Sequence, residues 1–174
     1  MALICGGPSA ERGISLNSAR SVLDHLGSSV NRISSAGVSI DTYYLSPNLS
    51  AYSISKAQMY SNTPSDFDFK LDMTAKRFSS LTDFTRHIAA TADIAFPALH
   101  GKYGEDGAIQ ALLEEACIPF VGTGSKECME AFDKSLANAR LQSLGYSTLP
   151  SALLVASMQG IPTQANVAQL SVWF

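Results

Sequence analysis

Cysteine is scarce in this chain and poorly placed for its usual structural uses. Cys5, Cys117 and Cys128 are scattered, odd in number and contain no CxxC pair. A disulfide frame and a thiolate zinc site are therefore excluded, and small buried residues in a reducing compartment are expected. Blocks of basic charge are also missing. Twelve Lys and Arg stand against fifteen Asp and Glu, a formal net charge of −3, so nucleic-acid binding has no electrostatic support. No apolar run approaches the roughly 18 residues of a membrane span. The opening MALICGG has no basic n-region and too short an apolar stretch for a signal peptide. Asn48-Leu49-Ser50 spells a glycosylation sequon, but without an export signal it reads as chance. There is no internal repeat and no low-complexity tract. The expectation is a soluble, cytoplasmic protein with no membrane and no nucleic-acid partner.

What is present suits a globular protein. The 174 residues are 46% hydrophobic and 16% charged, enough for one core, or for one domain and part of another. Residues 2–5 read as a buried strand ending at Gly6-Gly7. Ala19, Val22, Leu23 and Leu26 fall at i, i+3, i+4 and i+7, the stripe of a helix packed on a sheet. Residues 38–45 read as a second strand, residues 54–60 as a weaker third, and residues 62–70, with Pro64, Asp66 and Asp68, as a loop. Ser80 and Asp83 suggest a capping box opening a helix through Leu81, Phe84 and Ile88. A strand over 94–99 follows, then a glycine loop, then a helix with Ile109, Leu112, Leu113 and Ala116 on one face. Residues 118–121 read as a short strand before Gly122-Thr123-Gly124. Beyond it, Cys128, Phe132, Ala137, Leu141 and Leu144 suggest one or two helices, and residues 149–155 another strand. Strand and helix alternate through residue 122, which predicts an α/β fold with a parallel sheet and helices on both faces. A domain boundary is expected there, giving units of 1–122 and 123–174.

The glycine loop is the centre of the chain. It reads FPALHGKYGEDGAIQ over residues 96–110, with Gly101, Gly104 and Gly107 every third residue. Glycine lets backbone N–H groups approach a ligand, and a loop from a strand's carboxyl end into a helix is a common binding place. Two readings stand side by side: a ligand loop, or a tight turn with Asp106 as helix N-cap and Glu105 favouring the dipole. The loop at residues 6–14 is not GxGxxG, so dinucleotide binding has little support. Glu11 reads either as an exposed ion pair with Arg12 or as the carboxylate that receives a substrate ammonium. His25 and His87 read as surface residues within helices. His100 opens the glycine loop, where it is either structural or functional. No second histidine stands at ligand spacing, so no metal site is expected. Asp133-Lys134 is either a solvated pair or a place where lysine meets phosphate.

These stretches carry a resemblance. GGPSAERGISLNSA at residues 6–19, FPALHGKYGEDGAIQALLE at 96–114, IPFVGTGS at 118–125 and then FDKSLANARLQSLG resemble motifs of D-alanine–D-alanine ligases, in family order and near family spacing. The third motif is less specific than the others. The chain looks like the amino-terminal domain of that family, most similar to plant-type members. The resemblance implies a Rossmann-like domain, residues 1–122, preceding an incomplete ATP-grasp segment, residues 123–174. It implies an ATP-dependent ligase of peptidoglycan precursor synthesis, using ATP and magnesium. One D-alanine is activated as an acyl phosphate, and the amine of a second attacks it.

Residue by residue, Glu11 sits where the family holds the first D-alanine's ammonium. His100 sits where the family contacts substrate near the reacting carboxyl; both are the implied catalytic residues. Glu11, Ser15, His100 and Gly101 are the implied substrate-binding set, and Lys134 the implied ATP-phosphate ligand, with no metal ligand assigned. The implied partner is D-alanine, with a homodimer as a possible assembly. The sequence departs from the family at Gly13, often charged, at Phe132, usually methionine, and at Asn138, frequently a second lysine. It also stops before the serine-rich loop and the carboxyl-terminal domain that clamp ATP, so no complete acyl-phosphate site is expected within these residues. The rival reading is a non-catalytic module of the same descent that binds an amino acid, a dipeptide or a partner surface.

Overall fold

The first strand, β1 (Ala2–Gly6), is buried along its whole length, and its neighbours explain why. It lies between β2 (Asp41–Leu45) and β5 (Ala95–Pro97), parallel to both. Side chains alternate across a strand. Leu3 and Cys5 thus enter one core with Tyr44 and the helices α1 (Arg12–Ser28), α2 (Lys56–Met59) and α3 (Pro64–Thr74). Ala2 and Ile4 enter a second core with Tyr43, Leu45 and the helices α4 (Leu81–Thr91) and α5 (Ala108–Glu115). Burial on both faces needs a continuous apolar run, which ALIC supplies. The computed structural model describes residues 1–28, 38–60 and 64–151, which fall into two compact units divided after Met129.

The sheet is mixed, not all parallel. Its order is β4-β3-β2-β1-β5, and β3 (Ala51–Ile54) and β4 (Lys76–Arg77) complete it antiparallel at one edge. The reason lies in the connection. Only residues 46–50 join β2 to β3, closed by Ser50 N–H donating to Ser46 Oγ and Asn48 Oδ1. A parallel crossover needs about a dozen residues or more, so the chain must turn back. Of the expected strand over 54–60, only Ile54 lies in a strand, as the last residue of β3. Ser55 then caps α2 in a complete capping box with Gln58.

The expected loop over 62–70 is helical from Pro64. Proline is well suited to the first helical position, where its missing N–H costs nothing, and Asp66 in the first turn favours the dipole. Phe67 and Leu71, four apart, are the buried anchors. In α4, Ser80 accepts from Asp83 N–H, but the Asp83 carboxylate turns to Arg86, so only half of that capping box forms. Residues 118–121 give a single parallel bridge, Ala95 to Phe120, not a strand. Helices α6 (Ser125–Phe132) and α7 (Lys134–Ser143) follow, with no buried residue in either. The expected strand over 149–155 falls mostly outside the described residues.

The expectations for three single residues change. His87 is not a surface residue: it is half-buried, its Nε2 3.1 Å from the Tyr43 hydroxyl. Cys117 is exposed and Cys128 half-buried, while Cys5 is fully buried. Burial pushes the Cys5 thiol up to about 12 from 9.0, with Arg20 opposing weakly. An unfolded chain would release that proton above about 9 while the native chain keeps it. The stability from this group is whole below that pH and falls as pH rises toward 12. At pH 8 a thiol-specific disulfide reagent should label Cys117 promptly and Cys5 only as fast as unfolding exposes it. Equal labelling of both, read by peptide mass spectrometry, would contradict the buried placement.

Candidate functional site

The carboxyl ends of β1 and β5 are adjacent, and each runs directly into a loop that ends in a helix. After β1 the backbone passes through Gly6 (φ 94°) and Gly7 (φ 98°), left-handed conformations that L side chains avoid. Glu11 N–H then donates to Ser9 Oγ at 3.1 Å, and Ser15 N–H donates to Glu11 O at 3.0 Å, closing the first turn of α1. Glu11 is thus fixed through its backbone at the positive end of a helix, with its side chain exposed.

After β5 the chain folds into a compact cradle. Gly101 O accepts from Gly104 N–H at 3.1 Å and from Glu105 N–H at 2.8 Å. Asp106 accepts from Tyr103 N–H at 2.9 Å and from Ala108 N–H at 3.1 Å. The helix N-cap itself is Gly107, left-handed and without a side-chain cap bond. Asp106 therefore does the capping from one position further out than expected. Tyr103 (φ 73°) is strained and half-buried. Burial, helped by the Asp106 charge, raises its phenol.

The two loops meet. One ligand atom from each of Glu11, His100 and Glu105 lies within 4.8 Å of the others. His100 Nδ1 is 3.3 Å from Glu105 Oε1, and its Nε2 is 2.9 Å from Ser18 Oγ. A Cβ on Gly101 would clash with Ser9 Oγ and come within 3.3 Å of Glu11 Oε2. The glycine lets the Glu11 carboxylate lie directly over the loop backbone. Two carboxylates against one imidazole make a crevice that suits an ammonium group, which a carboxylate meets through charge-assisted hydrogen bonds.

Arg12 is no partner of Glu11. Its guanidinium turns the other way, to Tyr44 Oη at 2.8 Å and to both Asp68 oxygens at 2.7 and 2.8 Å. The exposed Glu11–Arg12 pair is thus replaced by a half-buried link from α1 to α3. Ser15 is fully buried. Its hydroxyl accepts from Gly6 N–H at 2.8 Å and donates to Ala98 O at 2.7 Å. It ties the ends of β1 and β5 together beneath the crevice and does not open into it.

Ser18 and Glu105 complete the surroundings of His100, and Ser18 was not singled out from the sequence. The signal existed: Glu11, Ser15 and Ser18 stand at i, i+4 and i+7, one face of a helix. Lys134 lies in the other unit as the first residue of α7, exposed to solvent. Asp133 is that helix's N-cap, accepting from Ser135 and Leu136 N–H at 2.8 and 3.1 Å. Hydrogen bonds from the Ser135 hydroxyl and those amides hold its carboxyl below the usual range.

The structure is thus a mixed α/β sheet with helices on both faces, with Glu11, His100 and Glu105 gathered at adjacent parallel-strand ends, the end of a sheet at which α/β domains bind ligands. Residues 1–123 match the sequence profile of a family described as D-ala D-ala ligase N-terminus. The chain belongs to that family. The D-alanine–D-alanine ligase of Streptococcus mutans serotype c is 32% identical over 170 residues, covering 98% of this chain and 45% of the relative. That of Rhodococcus erythropolis is 32% identical over 169 residues, covering 94% and 45%. The solved D-alanine-D-alanine ligase of Coxiella burnetii superposes with a TM-score of 0.71 at 26% identity, covering 99% of this chain and 49% of that one. The chain thus spans just under half the length of these relatives. No helix among the described residues is long and apolar enough to cross a membrane.

Proposed function

We propose that this chain is the substrate-side portion of an ATP-dependent D-alanine–D-alanine ligase, and that its crevice takes the first D-alanine. The observation that carries this is the convergence of Glu11, His100 and Glu105 within 4.8 Å at the ends of two adjacent parallel strands. Glu11 receives the ammonium group as a charge-assisted hydrogen bond. His100, held at both ring nitrogens, faces the carboxylate of the same molecule. Gly101 keeps the loop backbone close enough for its amides to face developing negative charge. Ser15 supports the site through the backbone it binds.

Lys134, an exposed point charge at the start of α7, is the residue we assign to ATP phosphates. ATP, when bound, would supply the phosphoryl group that activates the substrate carboxylate. The Glu11–His100–Glu105 group does not fit magnesium, which takes oxygen ligands in octahedral geometry, and no step is assigned to that ion here. The domains we propose are residues 1–122 for the substrate side and 123–174 for the opening of an ATP-grasp domain. The family profile ending at residue 123 and the left-handed Gly122 (φ 135°) support that division. The compact units divide later, after Met129, inside α6.

The test is a titration of the isotope-labelled 174-residue chain with D-alanine, read by NMR. Saturable shifts should appear in the amides of Glu11, Gly101 and Glu105, and be much smaller in β4, at the far edge of the sheet. Shifts absent from the first group, or spread evenly over the chain, would remove the reading.

A further inference from the structure

A glutamine in a core position is conspicuous when half of its amide has nothing to bind. Gln110 sits on α5, 7% exposed. Its Nε2 donates to Gly104 O at 2.8 Å, whereas its Oε1 is buried without a hydrogen-bond partner among the described residues. The orientation is fixed by the partner, since a carbonyl oxygen can only accept. A buried acceptor left unpaired costs stability, and an apolar side chain of the same length would avoid that cost. The place therefore asks for something that only the donor supplies.

What the donor holds is one peptide plane. The Gly104 carbonyl belongs to the peptide bond that leads into Glu105, and the N–H of that same peptide donates to Gly101 O at 2.8 Å. Both polar ends of the 104–105 peptide are thus pinned, one from α5 and one from within the loop. Gly104 in turn lies on the backbone that carries His100: a Cβ there would come within 2.7 Å of Leu99 C and 2.8 Å of His100 N. A pinned peptide (with its neighbour pressed onto the histidine's own backbone) fixes where the Glu105 side chain starts. From that start Glu105 Oε1 reaches His100 Nδ1 at 3.3 Å.

We propose that Gln110 is a positioning residue of this site: by holding the Gly104 carbonyl it sets Glu105 against His100. Its relevance to ligation rests on the reading of the crevice given above. Its geometry does not, so the test uses no ligand, and a failure of D-alanine to bind would leave its outcome intact.

The chain has three histidines, His25, His87 and His100, so long-range proton–nitrogen NMR of the labelled chain gives three separable imidazole patterns. Glu105→Gln should shift His100 Nδ1. Gln110→Met, which keeps length and helix propensity, should shift it in the same direction. The double variant should move it less than the two shifts added, with His25 unmoved throughout. A folded Gln110→Met protein whose His100 pattern matches wild type would overturn the proposal, as would full additivity. Should Gln110→Met not fold, the reciprocal reading decides. Glu105→Gln, a change at a half-exposed side chain, should then shift the Gln110 side-chain amide protons, and unmoved protons would overturn the proposal equally.

Discussion

Replacing Glu11 by glutamine should weaken D-alanine binding roughly ten- to hundred-fold, because a hydrogen bond to a charged group contributes about 1.5–3 kcal/mol and each 1.4 kcal/mol is a factor of ten. The substitution keeps the shape and one acceptor oxygen and removes only the charge. Stability should change little, since the side chain is exposed and Arg12 is bound to Asp68 and Tyr44 instead. The opposite expectation would hold if Glu11 and Arg12 formed the surface pair that their adjacency suggests: binding would be untouched. Affinity measured by calorimetry or NMR titration on wild type and Glu11→Gln separates the two. An unchanged dissociation constant would contradict the assignment of the ammonium to Glu11.

The second large effect concerns the turn that places Glu11. Gly6→Ala should destabilise the first unit by about 2–5 kcal/mol, adding about 1–2 for a left-handed L residue to about 1–3 for overpacking. That is a large share of the roughly 5–15 kcal/mol that holds a domain folded. A Cβ there would clash with Leu45 O and come within 2.5 Å of the Tyr44 ring. Leu45 O cannot retreat, because it accepts from Gly7 N–H at 2.7 Å. Gly13 is the internal control. It lies inside α1 with nothing within 4 Å of an added Cβ, so Gly13→Ala should stabilise by roughly 0.5–1 kcal/mol through helix propensity. Urea unfolding of the two variants should move the midpoint in opposite directions. Equal midpoints would mean that the β1 turn is not built as described.

Much of this was legible in the sequence where one signal spoke alone. The run ALIC had to be buried on both faces, the stripe Ala19–Leu23–Leu26 had to be helical, and the spacing from Phe96 to Gln110 placed a loop between strand and helix. Reading failed where one residue carries two meanings. Pro64 is a breaker inside a helix but a good first residue of one, and only Phe67 and Leu71 four apart decide for the helix. Strand direction was read from alternation, although the five residues from Ser46 to Ser50 were too few for a crossover. In the crevice, the residue types and the two loops were visible, but their pairing was not. Arg12 follows Glu11 in sequence and yet leaves it, because consecutive side chains at a helix start point in different directions. The resemblance puts Ser15 in the substrate-binding set, although its hydroxyl is consumed by Gly6 and Ala98. Ser18 is legible only through its spacing from Glu11 and Ser15 on one helix face, and Gln110 carries no signal until its partner, the Gly104 carbonyl, is placed.

The central claim is that Glu11 meets an ammonium group, and the side-chain carboxyl carbons report that contact directly. Labelled chain is titrated in parallel with D-alanine and with propionate, which keeps the carboxylate and carbon skeleton but lacks the amine. With that contact, D-alanine shifts the Glu11 carboxyl carbon in a saturable way, with Glu105 following less, and propionate leaves Glu11 unmoved. Equal responses to both compounds, or a Glu11 carbon that D-alanine does not move, would contradict the claim.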